Sequence, residues 1–152
     1  MAHMQQQILE AMQAVIIAAN TAAGSDVEID RTEPWPAERV PAVEITTEDS
    51  AELVEPLTAH HPHLQQRTFE FEIRCTASGR TAPAESRALG AEVETALIAS
   101  ASDVTLGGLT RTLLLTGVSS LKDGSGEVPV AEQRQKWRAI YVTQSGAPTQ
   151  PV

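Results

Sequence analysis

Apolar residues recur at three- and four-residue steps from Gln5 to Ala22. Ile8, Leu9, Met12, Val15, Ile16 and Ala19 form one stripe, which predicts a helix with Gly24 as its stop. The period then changes to two. Val27 and Ile29 alternate with Asp26, Glu28 and Asp30, giving a strand over Asp26–Arg31. Pro34-Trp35-Pro36 breaks it and sets Trp35 to fold back over the edge of the core, and Val40–Thr46 resumes as a second strand on Val43 and Ile45. The cleanest alternation is Arg67–Ala77, with Phe69, Phe71, Ile73 and Cys75 on one side and Thr68, Glu70, Glu72 and Arg74 on the other. A second helical stripe, Leu89, Val93, Ala96 and Leu97, spans Ala84–Ala101, and Gly90 within it allows a close approach to a sheet. Two strands follow. Thr110–Ser119 carries Gly117 as a candidate bulge, Lys122–Gly126 makes a turn, and Val128–Thr143 runs long or bends near Pro129.

Between the second and third strands lies Thr47–Leu64, which has weak periodicity. It holds Glu48, Asp49, Glu52 and Glu55, then Pro56, then His60-His61-Pro62-His63. Its expected form is a long arm with a short helical turn at Ser50–Leu57. A connection of about 18 residues is long against the usual 4–6, which points to a functional segment able to reach a neighbouring subunit. The element order predicts an α+β fold: an antiparallel or mixed sheet with two helices on one face, plus the arm. Residues 4–145 form one domain and the Pro/Gly-rich 146–152 a flexible tail.

Composition narrows the picture. Aromatics are 3% of 152 residues, so the core is built from aliphatic side chains. The formal charge of −9 sits in one half: residues 1–66 hold 11 acidic and 2 basic side chains, and residues 67–152 hold 9 of each. That disfavours tight nucleic-acid binding, which needs Lys and Arg on phosphates. An acidic wall past which DNA slides is compatible with it. No apolar run reaches the ~18 residues of a membrane span, and the start has no pattern of a secretory signal. The single cysteine, Cys75, excludes an intrachain disulfide, fits a reducing cytoplasm and reads as a small buried residue.

Candidate chemistry is sparse. His60, His61 and His63 are the one metal-like grouping, but adjacent histidines in an extended chain point apart, so no metal site is assigned. Asp49, Glu52 and Glu55 lack the spacing of a calcium loop. Glu70/Glu72 and Asp26/Glu28/Asp30 read as a solvated sheet face or an acidic lumen wall, because no base, nucleophile or cofactor loop accompanies them. No Gly-x-Ser-x-Gly is present, and Gly124-Ser125-Gly126 lacks a phosphate loop's Lys and following helix. No cofactor is expected. Arg134, Lys136 and Arg138 alternate along the last strand opposite Gln135, Trp137 and Ala139. They form either a solvated, edge-protecting face or a docking strip for the acidic half of a second copy.

The amphipathic Arg87–Ser100 followed by the two strands of Gly107–Thr143, with the Leu106-Gly107-Gly108-Leu109 link and the Val128-Pro129-Val130-Ala131 lead-in, resembles the phage tail-terminator and tail-completion proteins, in particular the lambda minor tail protein U family. The resemblance implies a non-enzymatic α+β virion protein. Such a protein forms a ring, a hexamer in that family, on the growing tail tube, ends its polymerisation and presents a surface for head attachment. It implies as partners further copies of itself, the tail tube protein and a head completion protein, with DNA passing through unbound and no membrane. It also implies a place in the virion tail after assembly in the host cytoplasm. Glu48, Asp49, Glu52 and Glu55 on the arm, with Arg134, Lys136 and Arg138, are the candidate subunit or tube interface. Another neck or head-tail connector component is an alternative, as is a small-ligand-binding module with a pocket between helix and sheet.

Overall fold

A computed structural model describes residues 2–98, 106–124 and 128–152. Helix α1 (Met4–Ala18) precedes β1 (Val27–Ile29), a single 3-10 turn at Ala37–Arg39, β2 (Ala42–Thr46), β3 (Glu52–Pro56) and β4 (Leu64–Ser78). Helix α2 (Ala82–Ile98), β5 (Thr112–Asp123) and β6 (Val130–Gln144) complete the domain. The six strands make one mixed sheet in the order β1-β2-β4-β6-β5, with β3 paired to β4 alongside β2. β1 and β2 are parallel, and every other pair is antiparallel. β2 takes the Glu72–Thr76 half of one β4 edge and β3 takes the Gln65–Phe69 half. β6 covers the whole opposite edge, from Leu64↔Gln144 to Ser78↔Val130. The fold is the expected α+β arrangement, with both helices against one face.

The strand alternation decides which face they cover. Phe69, Phe71, Ile73 and Cys75 of β4, Trp137, Ala139 and Tyr141 of β6, and Val43 and Ile45 of β2 point together into the core. Against them α1 buries Met4, Ile8, Leu9, Met12 and Ile16, and α2 buries Leu89, Val93 and Leu97. Each such side chain contributes about 1.5–3 kcal/mol of transfer free energy. The approach of α2 to β6 is set at Gly90. A Cβ there would lie 1.8 Å from Gln133 Oε1 and 3.1 Å from Gln135 Nε2, so a side chain would displace the strand's amides.

Several boundaries differ from the sequence reading. α1 stops at Ala18, well before Gly24, because Asn20 takes the left-handed conformation (φ 52) that an asparagine tolerates. The arm holds no helical turn at Ser50–Leu57. Pro56 disfavours the helical conformation at Glu55, and the segment lies extended as β3. Trp35 does not fold over the core edge. It stands over the charged face of the sheet, between the guanidinium of Arg31 at 4.0 Å and that of Arg39 at 4.8 Å from its ring centre. The bulge falls where expected, with the β5–β6 register shifting between Leu115 and Gly117. The predicted end of α2 at Ala101, and Ser125 and Gly126 of the predicted turn, lie outside the described residues. Residues 146–152 turn back on the domain: Pro148 C=O accepts from Met4 N–H at 3.0 Å, and Val152 N–H donates to Val142 C=O at 2.9 Å.

Candidate functional site

Three surfaces arise from this frame: the charged face of the sheet that the helices leave uncovered, the arm strand β3, and the edge strand β5.

On the uncovered face, register places Glu70 opposite Arg138, Glu72 opposite Lys136 and Arg74 opposite Arg134. The charges largely neutralise one another. Arg138 meets Glu70 at 2.9 Å, Arg74 meets Glu72 at 2.8 Å and Glu48 at 3.2 Å, and Arg134 bonds Glu132 and lies 3.8 Å from Glu72. Asp26 and Glu28 pair with Arg39, and Glu28 also with Arg31. Among the described residues Lys136 enters no ion pair. Arg134 and Arg138 are thus joined to the acids of their own sheet.

Beneath Trp35 this face holds a groove of about 530 Å³, lined by Val40, Glu44, Arg74, Thr76, Val130 and Glu132 among others. Burial raises the Glu44 carboxyl above the usual range, and the neighbouring Glu132 and Asp30 add to that, while Arg74 and the Arg31 N–H oppose it. The groove lies on the opposite side of the sheet from the helices, away from the expected helix–sheet pocket.

The arm is anchored by one of its own predicted residues. Glu52 points to the core side and accepts from Arg67 Nη1 at 3.0 Å and from the Tyr141 hydroxyl, and Arg67 Nε donates to Thr143 at 3.0 Å. Burial and the Glu52 carboxylate push the Tyr141 hydroxyl pKa upward. Glu48 reaches back to Arg74, Asp49 is exposed in a left-handed turn (φ 58), and Glu55 is exposed on β3. Of the seven interface candidates, then, Glu48, Arg134, Lys136 and Arg138 lie on the uncovered face without touching one another in a shared ion pair, Glu52 anchors the arm, and Asp49 and Glu55 remain on its surface. The His61 and His63 rings are edge-on with centres 5.7 Å apart, and His63 Nδ1 bonds the Thr58 carbonyl at 2.8 Å. Among the described residues no three His, Cys, Asp or Glu side chains converge as metal ligands.

The third surface was missed from the sequence. Leu114, Val118 and Leu121 of β5 are 43%, 54% and 47% exposed, and Leu53, Val54 and Leu57 of the arm are exposed as well. Leu114 and Leu121 lie on the uncovered side and Val118 on the helix side, so apolar groups are wet on both faces of one strand. The signal is Leu113-Leu114-Leu115, a run that must place leucine on both faces whatever the register.

A further polar device sits inside. Gln135, fully buried, donates from Nε2 to the Gly90 carbonyl at 2.8 Å and to Gln133 Oε1 at 3.1 Å, and accepts from Trp137 Nε1 at 3.1 Å. It fixes the α2–β6 contact without any chemistry of its own.

No protein-family model and no curated protein matches the chain. One solved structure to which it is similar is the "Virion of native gene transfer agent (GTA) particle", where the matched chain is 18% identical, with 91% of this chain and 92% of that chain covered and a TM-score of 0.49.

Proposed function

We propose that this protein is a structural component of a phage-like tail that works by capping. Copies close into a ring on the end of the tail tube, stop its growth and form the surface to which the head joins. The observation that carries this reading is the wet aliphatic strand β5, whose Leu114, Val118 and Leu121 a free monomer gains nothing by exposing. Such a strand is a surface for assembly. The helix, strand and closing-hairpin order of the tail-terminator resemblance agrees with it. Part of the acidic excess of residues 1–66 faces the channel in this reading, and DNA passes without binding. The partners are further copies, the tail tube protein and a head completion protein, in a virion assembled in the host cytoplasm.

The test is light scattering and electron microscopy of the purified protein, alone and mixed with its cognate tail tube protein. Rings, or tubes that stop at a capped end, support the reading. Tubes whose length is unchanged by the protein overturn it. The groove beneath Trp35 favours a second reading, a small-ligand module. A thermal shift with a metabolite panel that is lost on Trp35→Ala supports that one.

A further inference from the structure

We infer that the sheet of one copy continues into the next, with β5 lying antiparallel against β3 of a second copy. This deepens the proposed function, because it rests on copies assembling and names the joint. Among the described residues β5 pairs with β6 alone and β3 with β4 alone, so each has one side without a strand partner. The two lie on opposite sides of the sheet, and both carry exposed aliphatic side chains. An exposed apolar edge of this kind is a template for another strand.

Direction follows from topology. β3 is antiparallel to β4, β4 to β6, and β6 to β5, so β3 and β5 of one copy run in opposite senses. A copy placed beside the first by rotation about an axis along the strands therefore meets β5 with an antiparallel β3. That contact is head-to-tail, the kind that closes into a ring when the rotation between copies divides a full turn.

The hydrogen-bonding groups fit. Ala51 C=O and Leu57 N–H point to β4, so by alternation the amides of Glu52 and Val54 point outward. One register sets Leu53 against Leu121 on the uncovered face and Leu57 over Gly117, where no side chain obstructs it. It also brings the exposed Lys122 beside the acidic arm. The charge complementarity has the correct sign, since the arm belongs to the acidic half.

Cysteine cross-linking tests the joint. Leu53→Cys is mixed with Leu121→Cys, and separately with Leu114→Cys and Ser119→Cys, under mild oxidation with and without the tail tube protein. All four positions are exposed or half-exposed, so the fold tolerates the changes, and buried Cys75 is silent in the wild-type control. The expected result is a disulfide dimer from the Leu53→Cys and Leu121→Cys mixture and none with Leu114→Cys, seven residues along β5, and a ladder of larger species when Leu53→Cys and Leu121→Cys stand on one chain. A dimer from Leu121→Cys alone indicates two-fold β5–β5 pairing and overturns the joint, as does the absence of any cross-link under all conditions. Capping is read separately from tube length. Shortened tubes without the mixed disulfide reject the joint and leave capping standing. The mixed ladder with unchanged tubes supports the joint and rejects capping.

Discussion

The buried amide of Gln135 gives the sharpest quantitative test of how α2 is held on the sheet. Leucine has a similar volume, so Gln135→Leu keeps the packing and removes the polar groups. It leaves the indole N–H of Trp137, 1% exposed, without the acceptor it has at 3.1 Å. An orphaned buried donor costs about 1–3 kcal/mol. Loss of the 2.8 Å bond to the Gly90 carbonyl adds to this, and relief from burying an amide offsets part of it. The net expectation is about 2 kcal/mol of destabilisation, or roughly 4–8 °C in Tm for a domain of this size. Trp137→Phe removes the donor itself and costs about 1–2 kcal/mol through lost volume. In the double variant no orphaned N–H remains, so its cost falls short of the sum by about 1–2 kcal/mol. Urea unfolding of the four proteins by circular dichroism gives the cycle. Additivity within about 0.5 kcal/mol would refute the argument that the indole depends on this amide.

Gly90→Ala in an exposed helix would gain about 1 kcal/mol. Here the new Cβ meets Gln133 Oε1 and breaks its 3.1 Å bond to Gln135, so thermal unfolding is expected to show no gain or a loss, and Gly90→Ala in a Gln133→Ala background is expected to recover it. Burial pushes the Cys75 thiol up to about 12. A raised thiol contributes stability that is complete below about pH 8.5 and lost as pH rises through about 12. Native protein at pH 8 should therefore resist thiol reagents until it unfolds, and Cys75→Ala should lose less stability than wild type over that alkaline range, in which the raised Tyr141 hydroxyl also contributes; equal losses would sink the assignment. The Arg138–Glu70 pair is 40% and 52% exposed and is worth no more than about 1 kcal/mol. Arg138→Glu should leave the monomer folded, and the Glu70→Arg/Arg138→Glu swap should restore stability; if assembly measured by light scattering is lost in the first and regained in the swap, Arg138 acts within its own sheet and not on a second copy.

Legibility in the sequence followed how many physical constraints acted on each segment at once. β4 was readable because five alternate positions, Phe69 to Ala77, are all buried on one side, and register with β6 leaves the other side charged. Gly90 was readable because a glycine inside a helical stripe needs a packing reason, and the approach of Gln133 supplies it. β3 was not, since its acids and Pro56 suppress both periods and its extended form is imposed from outside, by the β4 ladder and by the Glu52 bond to Arg67. The cross-strand partners of Arg134 and Arg138 were equally out of reach. Their alternation is local, but Glu72 and Glu70 lie more than sixty residues away and are brought opposite only by the β4–β6 register.

A basic strip awaiting an acidic partner would require unpaired cations, and on the uncovered face two of the three candidate cations already meet carboxylates of their own sheet. Opening those pairs to receive a second copy gives back roughly what the new pairs return, so charge on this face sets orientation and discriminates between partners more than it drives association. The apolar edges are different. Leu53, Leu57, Leu114, Val118 and Leu121 already stand about half in water, and each Å² of them covered by a partner would gain about 25 cal/mol. In the proposed assembly, the favourable free energy therefore comes from the two edges of the sheet more than from its charged face. Salt separates the two contributions: assembly driven by the edges persists as ionic strength rises, whereas assembly driven by the charged face weakens with the shortening Debye length.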